Sequence, residues 1–225
     1  MQSIRTNRKT GRTALIIISC IILMLLALLI VSFARNEQPR ETLAEWRPAT
    51  RPGDMASHKP SDYTAANECA TLTHSNVAIV LGGAGGTAKE GPQHSYYSRG
   101  WSIGDQWWQV SEISTQGYED IGLSFTTRGS NTGPKYFTLE YRKNSEEWLP
   151  LTDSGNSPIT YAVDADNKFH QHGPYVLPAV INDSDRLDIR FLNADTESIA
   201  GGPVKSSGTN YITDVIITGA RMEAK

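Results

Sequence analysis

From about residue 107 onward the chain alternates apolar and polar positions with a period of two. Ile121, Leu123 and Phe125 share one side of a run in which Ser124, Thr126 and Arg128 share the other. Phe137, Leu139 and Tyr141 repeat the pattern against Thr138, Glu140 and Arg142. Side chains alternate across a strand, so each run predicts a half-buried strand with one apolar face. Gly129-Ser130-Asn131-Thr132-Gly133-Pro134 between them is turn chemistry, and the two strands are expected to be antiparallel neighbours. Shorter strands are predicted at 77–81, around Trp148, and at 159–163, 169–177, 186–191 and 211–218. In 186–191 the inward residues are Leu187, Ile189 and Phe191. No stretch here sustains the 3.6-residue apolar period of a long helix. Many short strands at this spacing predict a sandwich or a barrel.

The N-terminal part follows another rule. Residues 13–34 carry no charge and are dominated by Leu and Ile; as a helix they span about 33 Å, enough for a bilayer core. Arg5, Arg8, Lys9 and Arg12 precede them with no acid, which holds residues 1–12 in the cytoplasm as a basic tail. The length fits a retained signal anchor at 13–34. A cleaved signal at Ser32-Phe33-Ala34 and a lipobox at Ile17-Ile18-Ser19-Cys20 are the competing readings, and all three place the rest outside the cytoplasm. Residues 35–68, with prolines at 39, 48, 52 and 60 and no sustained period, read as a linker. Residues 69–225 are then the β domain.

Charge narrows the function. Four of the 21 bases lie before residue 34, leaving 17 against 24 acids in the remainder. A body with that excess of acid argues against nucleic acid as a partner. Cys20 and Cys69 form no intradomain pair, and Cys69 is expected to be buried as a small hydrophobe. Gly83-Ala84-Gly85-Gly86-Thr87-Ala88 matches a loose dinucleotide fingerprint. Gly91 and Pro92 would interrupt the helix that a fingerprint must open, so a glycine turn between strands is expected.

A Gly-Trp-x-x-Gly opening (Gly100 to Gly104), the double Trp107-Trp108, Ser-Thr-x-Gly-Tyr-x-x-Ile-x-Leu-Ser (114–124), Arg-Gly-Ser-Asn-Thr-Gly-Pro-Lys-x-Phe-x-Leu-x-Tyr (128–141) and the closing run 211–219 together have a specific look. They resemble the galactose-binding-like jelly-roll modules of extracellular bacterial proteins, over about residues 76–220. The resemblance implies an all-β jelly-roll sandwich that binds rather than catalyses. At 142–147 the sequence departs from the family's Ser-x-Asp-Gly turn.

Ligands of such modules meet end loops or a sheet face, so the candidate loops are 93–101 and 128–136. Tyr96, Arg99 and Trp101 come from the first, and Arg128, Asn131, Lys135 and Tyr136 from the second; Trp107 is added as an outward indole. Aromatic rings offer a flat face to sugar C–H groups, while Arg and Asn bond hydroxyls. Arg128 and Tyr136, flanking one turn, are expected to form one patch. Asp164, Asp166, Asp183 and Asp185 lie in oxygen-rich turns that would suit a structural calcium, although Asp and Asn are also ordinary turn formers. His170 and His172 share strand parity but lack a third ligand at diagnostic spacing. Neither a nucleophile elbow nor a zincin helix is present. The expectation is a non-catalytic, membrane-anchored extracellular module that recognises a carbohydrate or another cell-surface ligand. The alternative is an assembly subunit of a surface complex that binds a protein partner.

Overall fold

The computed structural model describes residues 39–48, 57–75, 80–84, 94–102, 104–153 and 156–223. The basic tail and the membrane-spanning stretch at 13–34 lie outside them, and no helix among the described residues is long and apolar enough to cross a membrane. Residues Arg40–Lys225 form one compact unit. In chain order its strands are β1 (Arg40–Trp46), β2 (Ser57–His58), β3 (Asp62–Tyr63), β4 (Thr71–His74), β5 (Val80–Ala84), β6 (His94–Ser98), β7 (Trp107–Ile113), β8 (Tyr118–Gly129), β9 (Tyr136–Lys143), β10 (Leu149–Pro150), β11 (Thr160–Ala162), β12 (His170–Val176), β13 (Leu187–Asn193) and β14 (Asn210–Arg221). Two 3-10 turns, Ala65–Asn67 and Ala179–Ile181, complete it.

Two antiparallel sheets face each other. Sheet 1 runs β12-β8-β14-β1-β3, with β6 also on β14 and β5 on β6; sheet 2 runs β10-β9-β13-β7-β4-β2, with β11 on β9. From β7 onward the long strands alternate between sheets: β7, β9 and β13 in sheet 2, and β8, β12 and β14 in sheet 1. Such repeated crossing is the wrapping of a jelly-roll sandwich. The inner faces bring Ile121, Leu123 and Phe125 against Phe137, Leu139 and Phe191. The Phe125 and Phe191 rings meet edge to face at 4.8 Å, a favoured aromatic geometry.

One expectation is corrected by this topology. β8 and β9 are not neighbours; they lie in opposite sheets. Alternation reveals which face of a strand is apolar, but not which strand it lies beside. The connection is tied down instead of turning back: Ser130 N–H donates to Thr209 O, and Lys135 N–H donates to Glu197 O. Gly133 passes so close that a Cβ would come 2.3 Å from Thr209 O.

The linker reading of 35–68 is corrected as well. β1 pairs with β14 from Arg40↔Ala220 to Trp46↔Val215. Leu43, Ala44 and Trp46 are fully buried, and Trp46 Nε1–H donates to His58 O at 3.0 Å. A bulge between Thr42 and Ala44 turns two successive residues inward, which hides the period-two signal. Cys69, expected inside, is exposed beside the first 3-10 turn. Of the glycine run, Gly82, Gly83 and Ala84 belong to β5, which pairs antiparallel with β6, so strands flank the segment as expected. Among the described residues β5 is not followed by the helix that a dinucleotide site needs, and residues 85–93, where the turn was expected to continue, lie outside them. The 142–147 turn closes as a tight hairpin, with Asn144 and Ser145 at φ 47° and 66° and Glu146 N–H on Lys143 O.

Trp46→Ala should destabilise the protein by about 3–5 kcal/mol in urea unfolding, as for a buried indole; a loss near zero would return residues 40–46 to a spacer. One buried histidine, His58, and one half-buried one, His172, set an acid limb. Burial lowers the pKa of His58 and of His172 from 6.5 to about 4. The unfolded chain therefore takes up protons first as the pH drops. Stability is complete above about pH 6.5 and falls towards pH 4, by about 1.4 kcal/mol per pH unit for each histidine. His172→Gln should flatten that limb relative to the parent; identical slopes would show that His172 is not the group titrating.

Candidate functional site

Sheet 2 exposes a face whose side chains follow from strand parity. With Phe137, Leu139 and Tyr141 inward, β9 turns Tyr136, Thr138, Glu140 and Arg142 outward. β13 adds Asp188, Arg190 and Leu192, and β7 adds Trp107 and Gln109. Trp148, from the β9–β10 hairpin, lies over two cations: Arg142 and Arg190 place Cζ 4.6 and 4.3 Å from its ring. Both guanidiniums are also paired, Arg142 with Asp188 at 2.8 Å and Arg190 with Glu140 at 2.5 Å. Asp188 has a second task. Its Oδ1 accepts the N–H of Glu112, whose φ of 62° marks the bulge in β7. That buried carboxylate binds the sheet face together.

At the other end of this face a pocket of about 480 Å³ is lined by Tyr136, Phe137, Thr138, Thr160, Tyr161, Ala162, Ala194 and Asp195. The volume lies within the range of small-ligand sites. Tyr136 is 36% exposed at its rim. Lys135 holds its Nζ 4.8 Å from the Tyr136 ring while donating to Glu197 at 2.8 Å, a hydrogen bond that raises its pKa. Trp107 stands two strands away, separated from Thr138 by Leu192. From Tyr136 to Arg142 the face runs roughly 20 Å along β9. It thus offers rings, hydroxyls and a carboxylate on a rigid support.

The residues expected at the site are divided by the structure. Tyr136, Lys135 and Trp107 belong to this face. Arg128 does not: it is on β8, in sheet 1, so the single patch expected of Arg128 and Tyr136 is not formed. Asn131 is exposed in the connection between them, where its carbonyl accepts from Ala200 N–H. Tyr96 and Trp101 are core residues, out of reach of a surface ligand. Tyr96 packs on His58 at 4.5 Å, and burial pushes its pKa up to about 12. Trp101 donates to Ser98 O and meets Phe137 edge to face at 5.5 Å. The loop expected at 93–101 is largely strand β6, which explains both. Arg99 is exposed, with Cζ 5.9 Å from the Tyr97 ring.

The four aspartates proposed for calcium are not brought together as one site. Asp164 and Asp166 flank His170, at 3.4 and 2.8 Å. Asp183 accepts Gly117 N–H, and Asp185 accepts from the Gln116 amide. Among the described residues no group of three or more His, Cys, Asp or Glu is placed to hold a metal ion. His172 does not share the solvent with His170; it stacks on Phe125 at 5.0 Å and bonds Thr127 Oγ1 at 2.8 Å. A serine–histidine pair exists, Ser98 Oγ to His74 Nε2 at 2.7 Å, but both side chains are sealed in the core. Thr138, Thr160 and Asp195 escaped the sequence reading. The outward parity of Thr138 beside Tyr136 was the available signal, whereas Asp195 follows β13 in a loop and gave none.

No family model matches the chain, and no curated protein matches it. Solved structures do. The CBM22-2 xylan-binding domain of Paenibacillus barcinonensis Xyn10C is 13% identical at a TM-score of 0.44, covering 66% of this chain and 91% of that one. The structure of TmCBM61 in complex with β-1,4-galactotriose is 8% identical at 0.38, over 66% and 86%. The enzymatically active domain of bacteriophage CBA120 tailspike protein 4 is 13% identical at 0.36, over 66% and 19%. The matched proteins thus include carbohydrate-binding modules. At these identities and TM-scores the likeness assigns no function to this chain.

Asp188→Ala removes the acceptor of a bulge N–H and leaves Arg142 unpaired, so it should cost about 3 kcal/mol. Asp188→Asn, which keeps an oxygen for Glu112, should cost less. Equal losses in urea unfolding would show that the ion pair alone matters.

Proposed function

We propose that this chain is a non-catalytic carbohydrate-binding module displayed outside the cell from a membrane anchor at residues 13–34. The observation that carries the binding reading is the pocket at the end of sheet 2. An exposed tyrosine there stands beside two threonine hydroxyls and the Asp195 carboxylate. A tyrosine ring gives a flat apolar surface to the C–H side of a pyranose. Asp195 and the threonines accept from sugar hydroxyls, and an acidic rim suits a neutral sugar better than an acidic one. Strands β9 and β11 fix the tyrosine and the threonines on rigid backbone, which lowers the entropy lost on binding. The remaining carboxylates of this face, Glu140 and Asp188, are engaged by Arg190 and Arg142, which favours binding over acid–base chemistry. The anchor reading rests on the uncharged run at 13–34 and its basic flank.

A glycan array probed with the full-length chain, followed by calorimetry on its strongest neutral oligosaccharide, tests the binding reading. Tyr136→Ala and Asp195→Asn should each weaken binding about tenfold or more, equivalent to about 1.4 kcal/mol, while the melting temperature stays nearly unchanged. A silent array, or hits untouched by both substitutions, would overturn it; silence with a co-purifying protein would point to an assembly subunit. Protease added to intact cells should remove the Arg40–Lys225 unit. Digestion only after lysis would sink the anchor.

A further inference from the structure

The outer face of sheet 1 carries a second row of rings. Tyr97 on β6, Tyr211 on β14 and Arg128 on β8 stand directly opposite one another in register. The two tyrosine rings are 5.3 Å apart. Arg128 Cζ lies 4.2 Å from the Tyr211 ring and 4.9 Å from the ring of Phe169, which leads into β12.

Arg128 is 7% exposed, and its Nε is sealed without a hydrogen-bond partner. The fold treats other arginines differently. Arg47, Arg142, Arg186, Arg190 and Arg221 are met by Asp214, Asp188, Glu112, Glu140 and Glu41, although their side chains are 22–67% exposed. Carboxylates are thus supplied where water already serves the cation, while the far more buried Arg128 receives rings. Rings attract the charge through their quadrupole but do not satisfy the in-plane N–H donors of a guanidinium. A buried cation left in that condition is costly, and an acceptor bound to its terminal N–H groups, which unlike Nε are not sealed, would relieve part of that cost.

We propose that Arg128 is the anion-binding residue of a second ligand site, which takes a carboxylate-bearing sugar of the uronic acid class. The planar guanidinium fork matches a carboxylate through two parallel hydrogen bonds. Tyr211, partly exposed beside it, offers its ring to the sugar, and Tyr97, only 9% exposed, backs that ring from β6. A carboxylate on a peptide offers the same anion, but an aromatic ring beside the fork suits the C–H face of a sugar better. The site is separate from the sheet 2 pocket and does not depend on it.

Calorimetry on the full-length chain with a tetramer of 1,4-linked galacturonate tests this. The neutral galactose tetramer, inorganic sulfate and a tetraglutamate peptide serve as comparisons. The galacturonate tetramer should bind, more weakly as salt rises. Arg128→Gln should weaken it about tenfold or more, and Arg128→Lys, which keeps charge but loses the fork, by an intermediate factor. Tyr136→Ala should leave it unchanged, which separates this site from the neutral-sugar pocket. Absence of saturable binding would overturn the proposal, as would an affinity unaltered in Arg128→Gln. Equal or tighter binding of sulfate or of the peptide would overturn the sugar assignment. If Arg128→Gln fails to fold, Arg128→Lys, which keeps the charge in place, carries the test: an unchanged affinity there also overturns the proposal.

Discussion

The sandwich depends on the hydrogen-bonded ladders of β14. One edge of this strand pairs with β8 along most of its length, and the other is shared end to end by β6 and β1. The handover falls near Asp214, which sits at φ 47° in a register shift and pairs with Arg47 just beyond β1. A bulge at that point lets one strand serve two neighbours with different registers. It also separates the two halves of sheet 1 chemically. The β1 half buries Leu43 and Trp46 beneath it, while the β6 half carries Tyr97, Tyr211 and Arg128 on its outer side.

Such an arrangement explains what could be read from sequence and what could not. The inward and outward faces of β8, β9 and β13 were legible because their period of two runs unbroken through Ile121-x-Leu123-x-Phe125, Phe137-x-Leu139-x-Tyr141 and Leu187-x-Ile189-x-Phe191, and all nine of these residues are buried. Strand partnership was not legible. A core shared by two facing sheets requires the same alternation whether two strands lie side by side or across the sandwich. β1 was missed for the opposite reason: its bulge makes Leu43 and Ala44 both face inward, so the alternation fails where the strand is most buried.

The candidate site shows the same division. Tyr136 and Trp107 were found because an outward aromatic stands out against the parity of its neighbours. Tyr96 and Trp101 were misplaced because sequence gives an aromatic residue but not its depth, and most large rings go inside. Arg128 fits neither case. Its parity is outward and correct, yet Phe169 and Tyr211 close over it from flanking strands, a contact between residues far apart in the chain.

Arg128 is therefore handled differently from the arginines of sheet 2. On sheet 2, Arg142 and Arg190 are each held twice, by a carboxylate and by the Trp148 ring, so their donors are already engaged and the cations act as supports. What remains open there is the far end of the face, where Tyr136, the threonines and Asp195 surround a pocket without a free cation among its lining residues. Around Arg128 on sheet 1 the ring contacts are present and the carboxylate is missing, whereas Arg221 at the far end of β14 has both, in Tyr118 and Glu41. Since rings cannot satisfy N–H donors, the same Arg–aromatic pairing that braces one face leaves the other with unmet hydrogen-bonding capacity. A difference of one acceptor is enough to turn a structural pairing into a recognition element.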